Sequence, residues 1–246
     1  MSEPLITVRE LSVGWDRNLL LRSASFEVER GDVFVILGGS GCGKSTLLRY
    51  LIGLETPLSG TISIAGIGAP RLEGAAPEYG VMFQSGALFS SMTVGENVGF
   101  ALQEWTGLPM DAVNAIVKAK LALVGLEGTG DKLPAELSGG MKKRAAIARA
   151  MAFEPSLIFL DEPSAGLDPV SAAELDDLIV ALNRGLGLTV VMVTHELESI
   201  FKVGKTCIML DKETKSIIAS GDPKRLKAES PDPKVRQFFH REARVL

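Results

Sequence analysis

With 246 residues, 46% of them hydrophobic and 23% charged, the chain can bury a substantial core, as one large domain or one domain with an inserted lobe. A formal net charge of −4 argues against a nucleic-acid partner held mainly by phosphate neutralisation, and no apolar run approaches the roughly 20 residues that span a bilayer. Cys42 and Cys207 are the only cysteines, which argues against a disulfide framework and favours a reducing compartment.

Met1 to Pro4 run directly into strand-like sequence and leave no room for a signal peptide, so the expectation is a soluble chain that meets a membrane only through a partner. Leu5 to Val13 alternates like a half-buried strand, and so does Ser25 to Glu29. Val33 to Leu37 is continuously apolar, as strands covered on both faces are. It leads through a glycine-rich stretch into an amphipathic helix carrying Leu47, Leu48, Leu51 and Ile52. Thr61 to Ala65, bracketed by Gly60 and Gly66, alternates again and joins the first two strands in an antiparallel sheet.

From Pro109 onward, Val113, Ile116, Val117, Leu121 and Val124 keep helical spacing up to Gly125. Ser138 caps a further helix that runs through an Ala-rich stretch to Ala152. Leu157 to Leu160 and Thr189 to Val193 are two more continuously apolar strands, each followed by polar residues where open α/β sheets place ligands. Ser230 to Pro233 reads as a turn, and Lys234 onward as a short helix. The expected domain is single, 1–246: a nucleotide-binding core of about 1–85 and 151–229, a helical lobe of about 86–150, and a tail, 230–246.

Gly38, Gly39, Ser40, Gly41, Cys42, Gly43, Lys44 and Ser45, followed by Thr46, complete the pattern G-x-x-x-x-G-K-[ST] between a buried strand and a helix, the context the motif requires. Glycines let backbone N–H groups turn inward as an anion nest, and the helix N-terminus adds its positive end. Lys44 offers a point charge to β- and γ-phosphates, and Ser45 a hydroxyl to Mg2+. Asp161 and Glu162 end an apolar strand. Alone they read as a solvated strand end; beside a phosphate loop they supply a metal anchor and a residue that positions the attacking water. His195, past the third buried strand, is either structural or a contact to the γ-phosphate.

These residues carry a family resemblance. Leu137, Ser138, Gly139 and Gly140 resemble the signature motif that separates ABC ATPases from other phosphate-loop proteins. Gln84, in Met82-Phe83-Gln84, resembles the family's Q-loop glutamine, Ser164 to Asp168 its D-loop, and His195 its switch histidine. Trp15, ahead of Leu20 and Leu21, is similar to the aromatic that stacks on adenine, with Trp in place of the usual Tyr. The motifs stand in the family's order and cover nearly the whole chain.

The resemblance implies an α/β ABC ATPase fold: a P-loop NTPase core with a mostly parallel sheet, an N-terminal antiparallel β subdomain and an inserted α-helical subdomain. It implies ATP and Mg2+ as ligands, with ATP held between the phosphate loop of one copy and Leu137 to Gly140 of a second, and Asp168 in the D-loop. Lys44 and His195 would hold the γ-phosphate, Glu162 would polarise the water, and Ser45, Gln84 and Asp161 would surround the metal. Softer marks resemble the ATPases of Mla/MCE-type lipid transporters: Gly80 to Phe89, Leu102 to Thr106 before Leu108 and Pro109, Met141 where many importers carry Gln, and Asp232 to Phe238. That implies phospholipid transport by a homodimer on the cytoplasmic face of a bacterial inner membrane. Its partners would be an integral membrane permease and an MCE-domain lipid-binding protein, with no nucleic acid. The alternative is an amino-acid or other small-solute importer, and the third reading a soluble non-transport ABC ATPase.

Four features stay open at this level. Lys142, Lys143 and Arg144 form a charge run that reads first as a solvated helix face and second as an attractor of phosphate or anionic lipid, and Arg149 packs or binds. Cys42 is a reactive thiol or a packing residue. The stretch from Gln84 to Asn97, with Phe89 and Met92, meets a membrane subunit or fills the lobe's own core. The tail from Lys234 to Leu246 is a dimer or regulatory arm, or a frayed end.

Overall fold

The computed structural model describes residues 3–15, 18–72 and 76–241, and the chain passes through two units. Met1–Leu72 and Thr189–Leu246 make the first, Glu73–Leu188 the second. The first unit opens with β1 (Ile6–Trp15), β2 (Asn18–Val28), β3 (Val33–Gly38), α1 (Lys44–Leu51) and β4 (Ser59–Ile64). The second contains β5 (Gly80–Met82), α2 (Val94–Trp105), α3 (Met110–Leu123), α4 (Gly139–Ala150), β6 (Leu157–Asp161) and α5 (Pro169–Leu186). The chain then returns to the first with β7 (Thr189–Val193), α6 (Leu197–Val203), β8 (Thr206–Asp211), β9 (Ser216–Gly221), α7 (Pro223–Glu229) and α8 (Pro233–His240).

In the first unit β1 lies between β2 and β4 in an antiparallel sheet. Ile6 and Val8 are buried, then Leu11 and Val13, so the alternation slips by one residue. A bulge absorbs the slip: Glu10 takes φ +47°, the register shifts against both neighbours, and Leu11 returns to the buried face. β3 runs parallel to β7 on one edge and β8 on the other, while β9 closes antiparallel on β8. Paired on both edges and buried from Val33 to Gly38, β3 carries no alternation. Leu47, Leu48, Tyr50 and Leu51 bury one face of α1. In the tail, Asp232 caps α8 by accepting from the N–H groups of Lys234 and Val235, and Val235 and Phe239 are buried. Residues 242–246 of the expected tail helix lie outside the described residues.

In the second unit β5 and β6 pair in parallel, and Tyr79 meets Phe159 edge-on at 5.4 Å between ring centroids. Gly80 is obligatory by proximity, since a Cβ there would collide with the Ala150 carbonyl at the end of α4. A complete capping box starts α2: Thr93 Oγ1 accepts from Glu96 N at 3.1 Å and Glu96 Oε2 from Thr93 N at 2.6 Å. α3 buries Val113, Val117, Lys120 and Leu121, matching the helical spacing of the sequence. α5 starts on Asp168 and stops at Gly187, with Asn183 Nδ2 donating to Leu188 O at 2.6 Å. Among the described residues no helix is long and apolar enough to cross a membrane.

Candidate functional site

In the first unit the phosphate loop leaves β3 at Gly38 and enters α1 at Lys44. Gly38 has φ +145°, and a Cβ there would stand 2.5 Å from Cys42 Sγ and 2.6 Å from Leu210 O, so only glycine fits. Lys44 folds back over the loop: its Nζ donates to Gly38 O at 3.0 Å and Gly39 O at 3.3 Å. That keeps the ammonium at the loop whose N–H groups the motif predicts to bind anions. Ser45 and Thr46 follow in the first turn of α1. Cys42 is buried, and desolvation pushes its thiol pKa up despite Lys44 nearby. The structure thus favours packing over the reactive-thiol reading, because desolvation outweighs the positive helix end.

Trp15 closes β1 with its ring about half exposed, paired across to Asn18. A residue the sequence reading passed over positions it. Tyr50, buried in α1, donates its hydroxyl to Gly14 O at 3.0 Å and accepts from Gly14 N at 3.3 Å. The helix that begins at the phosphate loop therefore fixes the backbone beside Trp15. His195 follows the buried Thr194 after β7, with an exposed side chain whose Nε2 lies 3.8 Å from Glu196 Oε1.

In the second unit β6 ends at Asp161, half-buried, and the next residue breaks the strand. Glu162 takes φ +48°, rare for a residue with a side chain, and is buried. The left-handed backbone at Glu162 thus sets the two carboxylates apart. Ala165 N donates to Glu162 O at 3.1 Å and Leu167 N to Ser164 O at 3.1 Å, shaping the turn that leads to Asp168. Asp168 accepts from Val170 N, Ser171 N and Ser171 Oγ, and the Ser171 bonds hold its carboxyl below the ordinary value.

Leu137 anchors the signature segment in the core while Ser138 and Gly139 stay exposed. Ser138 caps α4 as expected, its Oγ accepting from Met141 N at 3.3 Å, so a hydroxyl and a helix N-terminus face outward together. The charge run that follows is not a solvated face. Lys143 is 7% exposed, and its Nζ donates to Gln84 O at 2.5 Å and Glu162 O at 3.4 Å. Burial pulls the Lys143 pKa down, opposed by the Asp161 and Glu162 carboxylates. Arg144 pairs with Glu174 at 2.7 Å. Arg149 packs against the chain's own backbone: its guanidinium donates to Ala87 O at 2.5 Å and Gly86 O at 2.9 Å. Gln84 therefore belongs to a loop held by α4.

Asn97, also unforeseen, is fully buried on α2 and holds the next stretch. Its Oδ1 accepts from Phe89 N at 2.7 Å, and its Nδ2 donates to the carbonyls of Phe89, Met92 and Thr93. The interior reading of the Gln84–Asn97 stretch holds for Val94 and Asn97, whereas Phe89 is exposed and meets Phe100 at 5.5 Å between centroids. Trp105, Leu108 and Met110 add further exposed apolar surface on the same unit.

Known proteins sharpen this picture. The sequence pattern of the ABC transporter family matches residues 21–165. The chain is 41% identical over 241 residues to the intermembrane phospholipid transport system ATP-binding protein MlaF of Escherichia coli K12, covering 96% of this chain and 88% of that one. It is 39% identical over 240 residues to the probable ribonucleotide transport ATP-binding protein mkl of Mycobacterium tuberculosis H37Rv, covering 96% and 66%. Among solved structures, cbiO1 of Clostridium perfringens, part of the ABC transporter complex cbiONQ, superposes with a TM-score of 0.82 at 32% identity over 93% and 92% of the two chains. The dimeric ATP-binding cassette MJ0796 bound to ADP and Pi superposes with a TM-score of 0.77 at 26% identity over 88% and 98%.

Proposed function

The chain belongs to the ABC transporter family, and we propose that within it this protein is the ATP-hydrolysing subunit that powers phospholipid transport by an MCE-type system. The observation that carries the lipid reading is the 41% identity to MlaF across 96% of the chain. The small-solute importer is less well supported, since the relative named for ribonucleotide transport is matched over only 66% of its length. A dimer is supported by the dimeric cassette that this fold resembles.

The chemistry follows from the side chains. The phosphate-loop backbone and Lys44 hold the triphosphate, and Trp15 stacks on adenine with Tyr50 fixing the adjoining backbone. His195 contacts the γ-phosphate. Glu162, buried and turned out of the strand, orients the attacking water. Ser138, Gly139 and Gly140 serve the nucleotide held by the second copy, with hydroxyl, backbone N–H groups and helix dipole, and Asp168 sits in the D-loop between copies.

Among the described residues no three His, Cys, Asp or Glu side chains gather as a metal cage. Ser45, Asp161 and Gln84 are the residues proposed to hold Mg2+, which would take most of its ligands from phosphate and water. A metal held by them would supply positive charge against the charge of the triphosphate.

The exposed Phe89, Phe100, Trp105, Leu108 and Met110 are the residues proposed to receive the integral membrane permease, and their exposure supports a peripheral location on the cytoplasmic face of the inner membrane. Mild-detergent purification of the native assembly with mass spectrometry tests the reading. A multispan permease together with a single-span MCE-domain protein supports lipid transport. A permease with a solute-binding protein moves the assignment to a small-solute importer, and purely soluble partners overturn the transporter reading.

A further inference from the structure

Two of the cations on α4, Lys143 and Arg149, hold backbone and are left unused by the roles above. Lys143 and Arg149 together donate to four backbone carbonyls: Gln84, Gly86 and Ala87 in the loop after β5, and Glu162 after β6. Ala87 in that loop takes φ +47° and Glu162 takes φ +48°, conformations that residues with side chains keep only when their surroundings hold them. Lys143 is 7% exposed. Burying an ammonium ion is costly, and a Leu or Met would fill the same space without that cost. The presence of a cation is therefore explained by the carbonyls it holds.

We propose that Lys143 is a positioning residue for hydrolysis: it ties the signature helix to the backbones of Gln84 and Glu162, so that helix, loop and carboxylate shift as one piece. The inference rests on the functional reading above. Lys143 does not touch nucleotide. It acts through Glu162, whose carbonyl lies 3.4 Å from its Nζ, and through Gln84. Arg149 fixes the far end of the same loop, so the stretch from Gln84 to Ala87 has no freedom to lag behind α4. A displacement of the exposed Ser138–Gly139 turn on meeting a phosphate is passed down α4 to the residue that orients the water, while the phosphate loop's own affinity for ATP stays unchanged.

The test uses the full chain, with single-turnover ATP hydrolysis and equilibrium ATP binding measured on the same preparations. Lys143→Met keeps a long unbranched stem and removes the donors. Its hydrolysis rate should fall about 10–100-fold, the range for losing a group that orients a catalytic one. Its Kd for ATP should stay within about twofold, the signature of a lost transition-state interaction. Lys143→Arg, which keeps charge and donors, should recover most of the rate, and the amides of 84–87 should exchange hydrogen faster in Lys143→Met than in either. A wild-type rate in Lys143→Met overturns the proposal, as does parallel loss of binding and hydrolysis, or a Lys143→Arg no better than Lys143→Met. If Lys143→Met fails to fold, Lys143→Gln is read by the same criteria. A wild-type chain that hydrolyses no ATP would instead sink the ATPase reading, which keeps the two failures apart.

Discussion

The two loops that carry the chemistry are held in opposite ways. The phosphate loop is largely held by itself: Lys44 returns to Gly38 and Gly39, Cys42 N donates to Gly39 O at 3.3 Å, and Leu47 N donates to Gly43 O at 2.7 Å. The loop from Gln84 to Ala87 is held from a distance, by donors on α4 that lie 59 to 63 residues downstream. A self-supporting loop must write its conformation into consecutive residues, which is why glycines and a lysine at fixed spacing are diagnostic. A loop held by a remote helix need carry almost no local pattern.

The largest effect that tests this contrast is at Glu162. Glu162→Gln keeps the buried shape and removes the base, so turnover should drop about 10²–10⁴-fold, the usual worth of a positioned general base. ATP binding should survive, and an ATP-bound dimer should accumulate on size exclusion. Near-normal phosphate release from that variant would remove Glu162 from the water-positioning role. Lys44→Ala should do the converse, weakening ATP binding about 10-fold or more through loss of a charge-assisted contact, as read by equilibrium titration. If both variants lost binding equally, the division between a binding loop and a chemical loop would collapse.

The same contrast explains what the sequence could and could not reveal. The buried strands Val33–Leu37, Leu157–Leu160 and Thr189–Val193, the phosphate loop and the Ser138 cap were legible because each depends on neighbouring residues. β8 was missed although its buried run, Cys207 to Leu210, is as long as Leu157–Leu160. Lys143 reads as surface charge because a lysine between Lys142 and Arg144 gives no sign that carbonyls far along the chain turn toward it. Tyr50 and Asn97 were hidden for the same reason: their partners are backbone groups, which every residue possesses. Backbone acceptors leave no signature at the accepting end.

A smaller effect separates a cap that stabilises from one that also functions. Thr93 heads α2 with a full capping box, whereas Ser138 heads α4 with a single bond of 3.3 Å. Thr93→Ala should cost about 1 kcal/mol in denaturant unfolding with ATP hydrolysis little altered. Ser138→Ala should cost less stability and more activity, because its exposed hydroxyl is assigned to the partner's nucleotide. Equal losses of stability and activity in both variants would make Ser138 an ordinary cap.

The smallest expected effect is a pH dependence in the second unit. Lys120 is nearly buried in α3 and donates to Glu154 Oε1 at 2.8 Å, while Glu154 stays exposed. The Lys120 hydrogen bond and then its charge hold the Glu154 carboxyl below its ordinary value. A depressed folded-state pKa means that the unfolded chain binds the proton more readily, so the pair's contribution is complete above the unfolded value, about 4.3, and is lost as pH falls through the folded one. Wild type should therefore lose thermal stability on acidification from about pH 5 slightly faster than Glu154→Gln, whose amide keeps an acceptor for Lys120 without titrating. The exposure of Glu154 keeps the difference small and makes it shrink further in high salt. Identical acid limbs for the two proteins would show that Lys120 is held by its packed stem alone, leaving the carbonyl-bound Lys143 as the stronger case of a cation fixed by its acceptors.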